Sequence, residues 1–233
     1  QLKASVGLFS FYDGGVMKKP FFALLIVSLS ICAGGQDKRS GSLEELKVDF
    51  MMRGYFFAGS RIEDKQALGG FGTSQNLPKA IDHKMSVSKG EISLIAKPDE
   101  AAIFAEKYKG LKVVLINGTN ERVGFPASDS RLYIVQEALD GGGKWKPIEY
   151  LPSSWCGNSY HTVFLGPHEY WEFAAARYTG KFKTRLRFRL DWPKSGTEKT
   201  TIYSNEFEGS VNAHQFTIQQ GHKPTDIMDP YNN

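Results

Sequence analysis

Cys156, His161 and His168 are the residues whose types and spacing come closest to a metal-ligand set. A thiolate together with imidazoles is the ligand set of blue-copper sites. Such a site would also need His83, far upstream, and no methionine follows at the spacing of an axial ligand. The favoured alternative is a structural Cys156 packed beside Trp155, since free cysteines are commonly buried.

A row of cations offers a second kind of chemistry. Lys183, Arg185, Arg187 and Arg189 alternate with other residues, so a β-strand would place them on one face over about 20 Å. Arginine forks suit carboxylates, sulfates and phosphates. This basic face is therefore a candidate surface for an acidic polysaccharide, for lipid headgroups or for an acidic partner protein.

The competing interpretation is a solvated face whose charge is neutralised by the following strand. If residues 182–192 and 201–208 form a hairpin with their aromatic faces aligned, two glutamates lie on the arginine side. The expected register would pair Leu190 with Tyr203, Arg187 with Glu206 and Arg185 with Glu208. Cross-strand ion pairs of this kind contribute about 0.2–1 kcal/mol each, and charged rows on strands are usually solvated. The sequence favours this interpretation over a binding site.

Aromatic side chains could form a stacking platform for sugars. Trp192 falls on the apolar side of its strand and is expected in the core, as aromatic residues usually are. Trp145 and Trp155 lie near predicted loops and are the tryptophans expected at the surface.

Sequence motifs for catalysis are absent or incomplete. The segment Gly70-Phe-Gly72 lacks the last glycine of a dinucleotide-binding loop, and the chain contains neither a P-loop nor a G-x-S-x-G elbow. The segment that begins His168-Glu169 lacks the second histidine of a zinc-protease helix. The sequence therefore predicts no catalytic residue and no cofactor.

The elements that must position these residues are predicted to be strands. Residues 182–192 alternate strictly between apolar and polar, which is typical of a half-buried strand. Turn residues separate the strands, which favours an antiparallel sandwich or barrel over βαβ units. The predicted strands are 91–96, 111–117, 131–138, 145–150, 160–165, 169–177, 182–191 and 201–208, with weaker ones near 102–106 and 122–126.

The N-terminal part is predicted to be a signal peptide that starts at Met17 and is preceded by residues without a structural role. Met17-Lys18-Lys19 is followed by an apolar run and by small residues, the three-part build of a secretory signal, and that run is too short to span a membrane. Cys32 resembles the cysteine of a lipoprotein signal, although Ile31 stands where a small residue is expected. The protein is therefore expected to be periplasmic, extracellular or lipid-anchored, with membrane contact only through the signal peptide or the anchor.

Processing of this segment has two consequences. Loss or lipidation of Cys32 leaves Cys156 without a partner in its own chain, so no internal disulfide is expected. Of the 29 basic and 25 acidic residues, three basic and one acidic lie in positions 1–33, which leaves a net charge near +2. A balance this close to neutral gives no reason to expect nucleic-acid binding.

The predicted organisation has four parts. Residues 1–35 are upstream residues plus signal peptide, 36–90 a tether and mostly irregular extension, 91–218 the β-domain and 219–233 a loose tail. Within the extension, Ser42-Leu-Glu-Glu45 fits a capping box and predicts a short helix over 43–52.

Residues 111–208 resemble bacterial immunoglobulin-like domains in layout. The similar features are a buried strand that runs into Asn117-Gly-Thr-Asn120, the turn Leu165-Gly-Pro167 before Tyr170-Trp-Glu-Phe173, and Tyr178-Thr-Gly180 before the amphipathic strand. The inter-sheet cysteine pair of antibody domains is missing. The resemblance implies an immunoglobulin-like antiparallel β-sandwich and a role in binding, spacing or adhesion.

The sequence therefore predicts a non-catalytic, exported binding or structural module at the bacterial cell envelope, with a protein or an acidic polysaccharide as partner. A secreted hydrolase whose site is assembled from distant residues is the first alternative. A copper protein that uses Cys156, His161 and His168 is the second.

Overall fold

The amphipathic segment forms a long strand, Phe182–Pro193, in the computed structural model. The structure describes residues 42–82, 85, 88–193, 199–221 and 231, all within one compact unit, Gly41–Asn233. The predicted signal segment, Cys32 and His83 lie outside the described residues. No helix in the part that is described is both long and apolar enough to cross a membrane.

The described residues form an all-β structure, as the sequence predicts, with two short 3₁₀ helices at Gly157–Ser159 and Ala213–Phe216. The strands are β1 (Met52–Arg53), β2 (Lys79–Ala80), β3 (Ile92–Phe104), β4 (Tyr108–Asn117), β5 (Val123–Ser128), β6 (Arg131–Leu132), β7 (Ile134–Leu139), β8 (Trp145–Pro147), β9 (Glu149–Tyr150), β10 (Tyr160–Leu165), β11 (Glu169–Ala176), β12 (Phe182–Pro193), β13 (Lys199–Tyr203) and β14 (Phe207–Val211).

These strands pair almost entirely in antiparallel fashion. One sheet has the order β2-β11-β4-β3, and a second has the order β13-β12-β7-β8 with β14 also paired to β12. A smaller sheet, β10-β5-β6, adjoins them, and β1 pairs with β9 in parallel. Antiparallel pairing fits the short, turn-separated strands of the sequence, because such strands need no crossover helix.

The strands bury their apolar faces in one common core. Leu186, Phe188 and Leu190 of β12 are each at most 2% exposed, as the alternation predicts. Trp171 of β11 and Phe125 of β5 are fully buried in the same cluster. Burial of a side chain of this size contributes about 1.5–3 kcal/mol, so the core is the main stabilising element of the fold.

The predicted helix over 43–52 is wrong. Glu44 and Leu46 instead form isolated parallel bridges with Tyr108 and Tyr178. Leu46 is 5% exposed and belongs to the core. Tertiary burial of this side chain outweighs the weak local preference of the capping sequence for a helix. Further along the extension, Phe56 and Ala58 are fully buried in the same core.

The strand pairing of β12 agrees with the predicted hairpin over only half its length. Arg185 faces Glu208 as predicted, but Leu190 faces Ile202 and not Tyr203. Between β13 and β14, the backbone of Ser204 donates to the Phe188 carbonyl, and the Ser204 hydroxyl accepts from the Phe188 amide. This interruption shifts the register by one residue, which moves a side chain to the opposite face of a sheet. Tyr203 therefore lies on the arginine side.

Candidate functional site

The turn between β5 and β6 has a backbone conformation that is uncommon for residues other than glycine. Ser128 pairs with Arg131, so Asp129 and Ser130 form a two-residue hairpin loop. Both have positive φ angles, 47° and 63°. Such a loop requires left-handed residues and normally contains asparagine and glycine. An aspartate and a serine held in this conformation are a reason to look for function at the turn.

A loop from Gly59 to Asn76 packs against this turn. Its ends are joined by a hydrogen bond from the Gly59 amide to the Asn76 carbonyl. Gly59 also accepts from the indole of Trp171 over 2.9 Å. A side chain at position 59 would lie 2.2 Å from the carbonyl oxygen of Ser74, so the close approach of the two loop ends requires glycine. The loop is thereby attached directly to the core.

The same loop covers the free edge of β10. Asp64 accepts a hydrogen bond from the Thr162 amide over 2.7 Å, and Ser60 accepts from the Phe164 amide over 3.1 Å. These side chains satisfy edge amides that would otherwise be open to pairing with another chain. The tip of the loop is tied to the β5–β6 turn, because the Gly72 amide donates to Asp129 and the Ser130 hydroxyl donates to the Gly72 carbonyl.

A polar cavity of about 330 Å³ lies between the loop and the sheet. This volume is at the lower end of the range of small-molecule sites. Its polar lining consists of five hydroxyl side chains together with Arg61, Glu63, Asp64 and His161. The hydroxyl side chains are those of Ser60, Thr73, Ser74, Ser130 and Thr162.

His161 is fixed in the wall of this cavity. Its ring stacks on Phe71, with the centroids 3.8 Å apart and the planes 8° from parallel. Its Nδ1 lies 3.3 Å from the Ser159 carbonyl oxygen, and its Nε2 lies 3.4 Å from the Ser130 hydroxyl. Burial lowers the pKa of His161, which favours the neutral form of the ring. A neutral imidazole whose Nδ1 donates to Ser159 would present a basic Nε2 to Ser130.

The proposed metal ligands are not gathered into a site. Among the described residues, no group of three or more histidine, cysteine or acidic side chains is placed to hold a metal ion. Cys156 is a half-buried free thiol. His168 lines a different cavity, of about 650 Å³, where its Nε2 lies 2.9 Å from the amide oxygen of Asn120.

The basic face is extensively paired. Glu137 of β7, whose side chain is 4% exposed, contacts Arg187 over 2.8 Å and Arg189 over 2.5 Å. Arg185 pairs with Glu206 over 2.6 Å near the surface, while Lys183 is exposed. These ion pairs differ from the predicted ones, which joined Arg187 to Glu206 and Arg185 to Glu208. Glu137 supplies its carboxylate from the other neighbour of β12.

The two tryptophans expected at the surface, Trp145 and Trp155, differ in how exposed they are. Trp145 is half-buried, and the guanidinium carbon of Arg187 lies 4.3 Å from its ring centroid. Tyr203 flanks the same guanidinium at 3.8 Å. Trp155 is 58% exposed, on the loop before β10 that packs on the 59–76 loop.

A buried carboxyl lies elsewhere in the core. Glu149 is 1% exposed and accepts hydrogen bonds from the Tyr178 hydroxyl over 2.7 Å and from the Gln136 amide over 2.9 Å. Burial raises the pKa of Glu149 to about 7, although both hydrogen bonds act in the opposite direction. Glu149 is not among the lining residues of the cavity beside the 59–76 loop or of the cavity that contains His168.

Sequence reasoning missed Ser130, Phe71 and the other loop residues around the cavity. Isolated hydroxyl residues carry no spacing signal, and the loop has no periodicity from which its position could be inferred. The sequence Asp129-Ser130 between two strands was a turn signal, but it did not indicate left-handed backbone at both positions.

Comparison of the chain with protein-family models, with curated proteins and with solved structures found no significant match.

Proposed function

We propose that this protein is an exported, non-catalytic binding module of the immunoglobulin-like β-sandwich type at the bacterial cell envelope, and that it binds a polysaccharide at the polar cavity beside the 59–76 loop. The signal-like segment supports export. The antiparallel sheets around one core support the sandwich. The hydroxyl-lined cavity with its stacked Phe71 and His161 is the observation that carries the choice of ligand.

The surroundings of the cavity favour a ligand larger than one sugar. Among the described residues, six of the ten large apolar side chains that are well exposed lie on the 57–77 segment, on the loop before β10 or at the first residue of β10. They are Phe57, Ile62, Leu68, Leu77, Trp155 and Tyr160, with Leu68 76% exposed. Exposed apolar side chains around a polar pocket are typical of ligand-binding surfaces. A glycan chain would place polar groups in the cavity and stack a further sugar on an exposed ring.

Affinity electrophoresis of the full chain in gels containing polygalacturonate, an acidic polysaccharide, or dextran, a neutral one, tests this proposal. We expect a polysaccharide in the gel to retard the wild type and to retard Thr73→Val and Trp155→Ala less. Ile103→Ala is the matched control, because Ile103 is 56% exposed but lies on β3. Equal mobility of the wild type with and without either polysaccharide would contradict polysaccharide binding.

A secreted hydrolase is the second candidate, and the Ser130–His161 pair favours it. The Nε2 of His161 lies within reach of the Ser130 hydroxyl, the arrangement of a nucleophile and its base. In such a reaction the Ser130 oxygen would attack the acyl carbon of an ester, and His161 would accept the hydroxyl proton and return it to the departing alkoxide. Water would then hydrolyse the acyl-enzyme and release the acid. The Ser130 hydroxyl instead donates to Gly72 over 2.9 Å, which is why binding is preferred over catalysis.

Labelling with a fluorophosphonate separates the two candidates. A hydrolase would gain the phosphonyl mass on Ser130, and Ser130→Ala would remain unmodified. A binding module leaves the wild type unlabelled under conditions that label a control serine hydrolase.

A further inference from the structure

Two arginines lie together on the other side of the β5–β6 turn. Arg131 of β6 and Arg53 of β1 both face the ring of Tyr231, each with its guanidinium carbon 5.3 Å from the ring centroid. The ring of Phe57 lies at the same distance from Arg131. The arginines come from distant parts of the chain, so the fold holds two like charges close to one aromatic ring.

Three guanidinium nitrogens of these arginines are buried without a hydrogen-bond partner. Arg131 is only 6% exposed, and its Nε and Nη1 are buried without a hydrogen-bond partner. The Nη2 of Arg53 is also buried without a hydrogen-bond partner. Buried donors without acceptors are uncommon in folded proteins and need an explanation such as a bound ion.

The charge near the arginines is not balanced within the described part of the chain. Neither guanidinium forms an ion pair there. Asp129 is an acidic group that acts on Arg131 electrostatically, but both of its carboxylate oxygens accept other hydrogen bonds, from the Gly72 amide and from the Tyr231 hydroxyl. Burial and the charge of Arg53 lower the pKa of Arg131, as expected for a cation that lacks its counter-ion.

We propose that Arg53 and Arg131 form a binding site for an oxyanion, a carboxylate, sulfate or phosphate group, which takes the place of the Tyr231 ring over the two guanidiniums. Arginine presents N–H donors in a planar fork that matches two oxygens of such a group. A cation–π contact leaves those N–H groups unpaired, whereas an oxyanion satisfies them and neutralises the repulsion between the arginines. The site lies apart from the polar cavity, so this inference does not depend on the polysaccharide proposal.

Titration of the full chain with sulfate, phosphate and acetate at constant ionic strength tests the site. The readout is the ¹H–¹⁵N signal of the Arg131 Nε–H group, assigned by its absence in Arg131→Met. We expect this signal to shift and saturate in the millimolar range of at least one anion. Comparison of the three anions distinguishes a tetrahedral group from a carboxylate.

Variants of Arg53 and Tyr231 should change the affinity in opposite directions. Arg53→Met should weaken binding about tenfold or more, because a charge-assisted hydrogen bond is lost. Tyr231→Ala should strengthen binding several-fold, because the ring no longer competes. Arg185→Gln, at an exposed paired arginine, should leave the affinity unchanged.

An Arg131 signal that does not move with any of the three anions would overturn the proposal. Equal affinities of the wild type and Arg53→Met would overturn it as well. If Arg131→Met does not fold, the Nε–H signal of Arg53, assigned by its absence in Arg53→Met, is followed through the same titrations, and a signal that no anion moves would overturn the proposal.

Discussion

Arg187 and Arg189 share the carboxylate of Glu137, whereas Arg53 and Arg131 share the ring of Tyr231 and have no ion pair in the described part of the chain. Arg53, Arg187 and Arg189 are partly buried, and Arg131 is buried. The difference is whether a neighbouring strand supplies an acid. Where it does, arginine charge stabilises the fold, and where it does not, the charge is available to a ligand.

The arginines that stand out in the sequence as a possible binding surface are the ones that the structure pairs with an acid. The paired arginines belong to a conspicuous alternating row, while Arg53 and Arg131 are isolated residues in short strands. A row of cations on a strand lies beside two further strands, each of which can carry acids. Conspicuous charge is therefore the charge that a sheet most readily neutralises.

Removal of the shared carboxylate should produce the largest effect. Glu137→Ala leaves Arg187 and Arg189 partly buried without their acid, and we expect a loss of about 4 kcal/mol in the free energy of unfolding. Urea denaturation measures it. The matched control is Glu206→Ala, which breaks the exposed pair with Arg185 and should cost about 1 kcal/mol or less. Equal losses in the two variants would show that burial does not distinguish these ion pairs.

Glu149 is a buried acid without an ion pair among the described residues, so its contribution to stability should depend on pH. The pKa of Glu149 is about 7 in the folded protein and near 4.5 when unfolded, so between these values only the folded state holds the proton. Unfolding then releases a proton, and rising pH favours it. The stabilising contribution is present below about pH 4.5 and is lost as the pH rises through 7, a change of about 3 kcal/mol.

Urea unfolding at pH 5 and at pH 8 measures this loss. The variant Glu149→Gln cannot titrate at this position, so its stability should fall less over the same interval than that of the wild type. An identical pH dependence of the two proteins would show that Glu149 is ionised in the folded state throughout.

The smallest effect is expected at the unpaired arginines. Arg131→Met keeps the apolar stem but removes a buried charge that is repelled by Arg53, and we expect a gain of about 1 kcal/mol in the free energy of unfolding in buffer without oxyanions. The control Arg189→Met should instead lower stability, because it leaves Glu137 short of a partner. Thermal and urea unfolding of both variants measure these changes. If Arg131→Met lowered the free energy of unfolding as much as Arg189→Met, the expected difference between the two arginines would be wrong.

Much of the sheet structure was predictable from the sequence. β10 coincides with its predicted range, and β11 and β12 differ from theirs by no more than two residues. Alternation and turn residues are local signals, and each strand buries the face that its own residues define. The register of β13 was not predictable, because it depends on the Ser204 hydrogen bonds to Phe188 in another strand.

The candidate sites were predicted far less well. Trp155 was expected at the surface and is exposed there. Ser130 and His161 are 31 residues apart in the chain, yet their side chains meet at 3.4 Å. No spacing rule connects them, because the contact exists only after the 59–76 loop and β10 have packed around the β5–β6 turn.

The sequence by itself determined the all-β class, most strand positions and the apolar face of β12. These follow from side-chain periodicity, which acts within a few residues. The tertiary structure decided which charges are neutralised, which histidine and serine meet, and which arginines are left without an acid. Those outcomes depend on distances between segments far apart in the chain, and burial at the resulting contacts sets the cost of every unpaired group.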